Sequence, residues 1–164
     1  MAEAGEDKRA YPFTAFNFSV EIHREGESAA LCNAAFAECD GLEMTMEVKT
    51  IRQGGDNHRQ IRLAGPAAFG QLTLKRGMTA SFDLWDWFGK TLDDPGLRAD
   101  ATVVLFAADR TTERARFILS RCIPIKLKAP ALNAREGMVA IEELQIVYES
   151  LALQPPTGAG PGAA

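Results

Sequence analysis

Two histidines, three cysteines and one adjacent pair of glutamates are the residues of this 164-residue chain whose types could do chemistry. His23 sits at the end of an alternating run and His58 in a polar stretch, so the two imidazoles imply no metal pair and read as surface groups. Cys32, Cys39 and Cys122 are odd in number and lack C-x-x-C spacing, the pattern of reduced, mostly buried thiols. Glu142-Glu143 would suit acid–base work only if both carboxylates reached one substrate. Neighbours on a strand point to opposite faces, so the pair reads as a surface pair or a β-bulge. Gly65 to Gly70 has neither the G-x-G-x-x-G spacing nor the lysine of a phosphate loop. Lys75-Arg76-Gly77 precedes a helical stretch, where an anion could sit. The preferred reading is a turn whose charges pair with nearby acids. No nucleophile–base set emerges, and the expectation is a protein that is no enzyme and uses no cofactor.

The elements that would position these groups are mostly strands. Phe16, Phe18, Val20 and Ile22 alternate with polar residues, and a second strand is expected over about 30–38. Asp40-Gly41 reads as a hairpin turn into a strand over 42–49, where Met44, Met46 and Val48 alternate with Glu43, Thr45, Glu47 and Lys49. Residues 50–62 form a long polar loop with a Gly-Gly pair, of a length that is usually functional or disordered. Thr79 or Ser81 can cap the single helix, which carries Phe82, Trp85, Trp87 and Phe88, and Asp83 and Asp86 suit its positive end. A ligand pocket beside Trp85 and Trp87 is one use of those rings; core or interface is the preferred one. The run from Ala101 shows little alternation, as in a strand covered on both faces. Beyond it Ala115, Phe117 and Leu119 face inward, Pro124 and Pro130 bracket an edge-like stretch, and a last strand spans about 138–151. The sum is about seven strands and one helix, with residues 1–12 a flexible arm, 13–152 one domain and 153–164 a flexible Pro/Gly/Ala tail.

Composition narrows the classes. With 46% hydrophobic and 24% charged residues the chain is ordinary for a globular domain, and a net charge of −4 offers no basic footprint for nucleic acid. No stretch approaches the ~20 apolar residues of a membrane span. The polar, acidic start is unlike a secretory signal, so synthesis in the cytoplasm is expected.

Four segments together resemble the tail-tube proteins of contractile phages and of phage-tail-like extracellular contractile injection systems. They are Phe16–Ile22 leading to Ala35-Phe36-Ala37-Glu38-Cys39-Asp40-Gly41-Leu42-Glu43; Gly54-Gly55-Asp56-Asn57; Leu72–Thr79 running into Leu84-Trp85-Asp86-Trp87; and Pro124 to Glu149. Each is weak alone, and their order across about 13–151 makes the match. Cys122-Ile123-Pro124 departs from the family, many of whose members carry a tryptophan before the proline.

The resemblance implies a mainly β, two-sheet barrel or sandwich with one short helix, whose hairpins complete a ring-wide β-barrel in the oligomer. It implies homo-hexameric rings stacked into a hollow inner tube inside a contractile sheath, with sheath, baseplate or spike and tube-terminator partners and cargo in the lumen. Nucleic acid would be only transient cargo, were the particle a phage. Close alternatives are a tube-initiator or baseplate adaptor ring, and more distantly a type VI secretion tube protein. From a different class comes a monomeric β-barrel that binds a small ligand. Ile51, Arg52, Gln53, Gly54, Gly55, Asp56, Asn57, His58, Arg59, Gln60, Ile61 and Arg62 are the expected inter-ring loop. Lys75, Arg76, Trp85, Trp87 and Phe88 are the expected helix and subunit interface. Glu43, Thr45, Glu47, Lys49, Arg114, Arg116 and Ser120 are lumen candidates, and the opposite faces, Met44, Met46 and Val48 among them, are expected to be core. Ring contacts are expected to be polar and assembly therefore nucleated.

Overall fold

The computed structural model describes residues 13–156. The expected N-terminal arm and most of the C-terminal tail lie outside them. Ten strands and one helix follow in chain order: β1 Phe18–Arg24, β2 Cys32–Ala34, β3 Glu38–Asp40, β4 Met44–Ile51, β5 Ile61–Phe69, β6 Gln71–Gly77, α1 Asp83–Asp93, β7 Ala99–Phe106, β8 Glu113–Lys128, β9 Ile141–Val147 and β10 Ser150–Gln154. The expected last strand is divided at Tyr148-Glu149, and β10 runs two residues into the stretch read as tail.

All pairings are antiparallel. The larger sheet runs β2-β1-β7-β8-β9-β6-β3, with β10 also on β8, while β4 and β5 form a sheet of their own. β8 serves both halves because two register shifts bend it. Between Leu119 and Cys122 it gains a residue against β7, and Arg121 there takes a left-handed φ of 54°. Between Pro124 and Lys126 it gains another against β9. A bulge inserts a residue into one strand and increases local twist. Past the first bulge, Pro124 lies on the stretch of β8 whose one neighbour is β9, where a missing N–H costs no ladder bond.

The two halves face one core. Val20, Ile22, Val103 and Leu119 meet Leu72, Leu74, Leu144 and Ile146, with Leu84 and Trp87 of α1 closing it. Val103 and Val104 are both buried, as expected of a strand covered on both faces. No helix among the described residues is long and apolar enough to cross a membrane.

Asp40-Gly41 is not a hairpin turn. β3 pairs with β6 and β4 with β5 in one continuous register, Glu38 opposite Lys75 and Met44 opposite Phe69, so β3–β4 and β5–β6 are the arms of a single long hairpin. Its turn is 52–60. Gly41 instead has a φ of 99°, and a Cβ there would lie 1.9 Å from the Gln71 carbonyl oxygen. The strand turns over at this point: Asp40 is exposed and Leu42, two residues on, packs against the core.

Candidate functional site

Beyond Gly41 the hairpin leaves the core as a two-stranded ribbon in which every residue of β4 is exposed. Met44, Met46 and Val48 are 64, 58 and 54% exposed, so the expectation that they form core fails. Residues directly opposite on antiparallel strands share a face. Met44 faces Phe69, Met46 faces Ala67 and Val48 faces Ala64, which makes one side of the ribbon continuously apolar. The other side carries Thr45, Glu47 and Lys49, with Ile51, Ile61 and Leu63 toward the tip. Gly65-Pro66 forms a bulge opposite Glu47, where a Cβ on residue 65 would meet the Glu47 carbonyl oxygen at 2.6 Å. The tip is organised by Asp56, whose carboxylate accepts from the backbone N–H of His58 and Arg59 and from Arg59 Nε, at 3.0, 3.1 and 3.2 Å. These bonds, the one from His58 N–H foremost, hold its carboxyl below the ordinary range.

The outer face of the sheet that carries the ribbon is polar toward the end away from it. Glu38, Lys75, Glu143 and Lys128 stand in register on β3, β6, β9 and β8, a row of alternating charge. Lys75 Nζ lies 3.1 Å from Glu38 Oε2.

Arg76 is not the interface corner that its sequence neighbourhood suggested. It is 4% exposed, and Glu142, read as half of a surface pair, is 1% exposed. Arg76 follows Leu72 and Leu74 on the inward face of β6, and Glu142 precedes Leu144 and Ile146 on that of β9. Arg76 Nε donates to Glu142 Oε1 at 2.5 Å, Nη2 to Asp83 Oδ1 at 2.5 Å and to the Ser81 carbonyl at 3.3 Å, and Nη1 to Cys32 Sγ at 3.4 Å. The guanidinium also lies 5.8 Å from the centre of the Phe36 ring. Trp85 Nε1 donates to Glu142 Oε2 at 3.0 Å. Burial alone would lower the Arg76 pKa, but the two carboxylates raise it. Burial likewise disfavours ionised Asp83, yet Arg76 holds its carboxyl below the ordinary range.

The expected helix cap is absent, and the network instead anchors the start of α1 through Ser81 and Asp83. α1 begins at Asp83 with Phe82 in the capping position and no side-chain cap bond, and Thr79 Oγ1 accepts instead from Ser81 N–H. Trp87 is wholly buried, Phe88 half-buried, and the Trp85 N–H is taken by Glu142, an arrangement of core and surface rather than a ligand pocket. Lys75 alone of the basic pair reaches the surface.

The lumen candidates divide. Thr45, Glu47 and Lys49 share the polar face of the ribbon, while Glu43 lies at its root, its N–H bonded to Tyr148 Oη at 3.1 Å. Arg114, Arg116 and Ser120 lie in the other half of the molecule, on the face of β8 away from buried Ala115 and Leu119. Arg116 is paired there with Glu113 at 2.7 Å. Burial pushes the thiols of Cys39 and Cys122 up to about 11 and about 12, away from nucleophile or ligand chemistry.

The fold is a β-sandwich of eight strands closed by one helix, from which an amphipathic two-stranded ribbon departs. The chain belongs to the T4-like virus tail tube protein gp19 family, whose sequence profile matches residues 14–152. It is similar in fold to a chain of the anti-feeding prophage baseplate (6-fold symmetrised), with 24% identity, a TM-score of 0.80, and 89% of this chain and 97% of that one covered. A chain of the sheath–tube complex of the extracellular contractile injection system PVC, in the extended state, gives 19% identity and a TM-score of 0.77, covering 94% and 99%. A chain of the anti-feeding prophage tube-terminating cap gives 18% and 0.77, with the same coverage. At these identities the likeness is one of fold. No curated protein sequence matches the chain.

Proposed function

We propose that the chain is the repeating subunit of the hollow inner tube of a contractile injection system or phage tail. Six copies close a ring, rings stack inside a contractile sheath, and the lumen conducts cargo. Sheath, baseplate with spike, and tube-terminator proteins are its partners, and the particle rather than the cytoplasm is where it works. The observation that carries this, beside family membership, is the ribbon. An isolated two-stranded hairpin is marginal in water, and one with a bare apolar face gains its support from another chain. Joining such edges between copies removes them. Head-to-tail contacts generate rings when their rotation closes.

The polar face of the ribbon and the charged row on the sheet that carries it line the channel in this account, leaving Arg114, Arg116 and Ser120 on the opposite exterior. Alternating charges hold one another and leave little net field to grip cargo. Because one face of the ribbon is apolar, ring contacts are greasier than the polar loop 50–62 suggested, and the tip 52–60 makes the axial contact between rings.

Negative-stain microscopy of the concentrated protein tests the proposal. Six-fold rings or hollow tubes are expected; a monodisperse monomer at every concentration contradicts it. Glu47→Lys is expected to change which cargo particles carry while leaving assembly intact, and an unchanged cargo profile moves the lumen to another face.

A further inference from the structure

Two apolar surfaces lie at opposite ends of the same strands. Gln71 pairs with Val147 at one end of β6 and β9, and Gly77 pairs with Ile141 at the other. The ribbon leaves from the first end, one glycine before Gln71. At the second end, residues 129–140 join β8 to β9 without forming strand or helix. Leu132, Met138 and Val139 on this connection are 91, 77 and 77% exposed. The Met78 N–H donates to the Ala140 carbonyl at 2.9 Å, which brings exposed Met78 alongside, with exposed Phe82 just beyond it. The bond from Trp85 to Glu142 holds the first turn of α1 over the same end.

The two ends are complementary in charge as well. Residues 52–62 carry three arginines against one aspartate, and residues 78–94, with Asp83 taken up by Arg76, keep three aspartates against one lysine. β4 is eight residues long, about 26 Å at the usual rise, and it points away from the second end. The ribbon therefore cannot reach that surface on its own chain.

We infer that the 129–140 segment, with Met78 and Phe82, is the seat that receives the apolar face of the ribbon from a second copy. The inference rests on the tube reading and names the docking partner of its ribbon. Apolar burial supplies the attraction, and the basic tip against the acidic helix sets orientation and register. Each copy gives a ribbon and offers a seat, so the contact propagates from copy to copy instead of ending as a symmetric pair.

Reciprocal variants test it. Val48→Glu spoils the ribbon and Val139→Glu the seat, both at exposed positions, so each variant keeps the melting temperature of the parent chain. Each alone is expected to lose self-association at least tenfold by sedimentation velocity. Mixed in equal amounts they form a two-chain complex, the intact ribbon of one in the intact seat of the other. A photocrosslinking residue at Met46 then links to peptides covering 129–141 or 78–82. If the parent chain forms tubes and Val139→Glu forms them equally well, or the crosslinks map elsewhere, the seat falls and the tube reading stands. If the parent chain stays monomeric at every concentration, both fall.

Discussion

The Arg76 network and the β4–β5 ribbon are two answers to the same difficulty, that of groups which cannot be left alone. At Arg76 the chain brings a cation under the start of α1 and surrounds it with two carboxylates, a thiol, a carbonyl and an aromatic ring, so its polar needs are met within one subunit. In the ribbon it extends methionines, a valine and alanines into water, with their needs unmet. Closed chemistry fixes the shape of the building block, and open chemistry makes it a block. Damage to the first should unfold the subunit; damage to the second should leave the subunit whole and stop it from assembling.

The largest effect expected is at the closed region. Arg76→Met strands the Glu142 carboxylate in the core, and loss of one partner of a buried pair costs about 3–5 kcal/mol. Urea denaturation followed by near-UV circular dichroism should show it, and a cost below about 1 kcal/mol would mean that the network is not closed. Gly41→Ala comes next. It forces a side chain into a left-handed conformation and against the Gln71 carbonyl, and strain of that kind costs about 1–3 kcal/mol before the clash is relieved.

Acid gives a graded probe. The native Asp83 carboxyl loses its proton more readily than an ordinary aspartate of pKa 3.8, so its contribution is complete above that value and is lost as pH falls through the lower native one. Glu113, held down chiefly by its bond from Arg116, acts in the same direction. Stability should decline below about pH 4, and Asp83→Asn should flatten that limb in a pH series of thermal melts. The smallest effect belongs to the exposed Glu38–Lys75 pair, where Lys75→Ala should leave the melt unchanged within error.

Much of the closed region is legible in the sequence. The alternation of Phe18, Val20 and Ile22 gives β1, and the cluster from Phe82 to Phe88 gives the helix. The same alternation places Arg76 on the face of Leu72 and Leu74, and Glu142 on that of Leu144 and Ile146. Adjacent glutamates pointing opposite ways means that one of them points inward. That these two inward charges meet was not legible, because 66 residues separate them and only the β6–β9 register joins them. The helix start is equally hidden from local signals: neither Thr79 nor Ser81 caps it, and Asp83, which accepts from the Leu84 N–H, is held there by Arg76 from strand β6.

The open region misled in another way. Met44, Met46 and Val48 have the period of a half-buried strand, but periodicity says only that one face is apolar, not whose surface covers it. Asp40-Gly41 looked like a reversal because a glycine that allows close backbone approach has the same letters as one in a tight turn. The continuous register on both sides of Gly41 is a long-range property that no local signal carries.

Hydrogen–deuterium exchange of the β4–β5 amides, compared between the dispersed subunit and assembled particles, tests the central claim most directly. The account predicts fast exchange along 44–51 and 61–69 in the free subunit, strong protection of the same amides on assembly, and protected β6 and β9 in both. Ribbon amides equally protected in the two states would show that the ribbon is held by its own chain and would contradict the account.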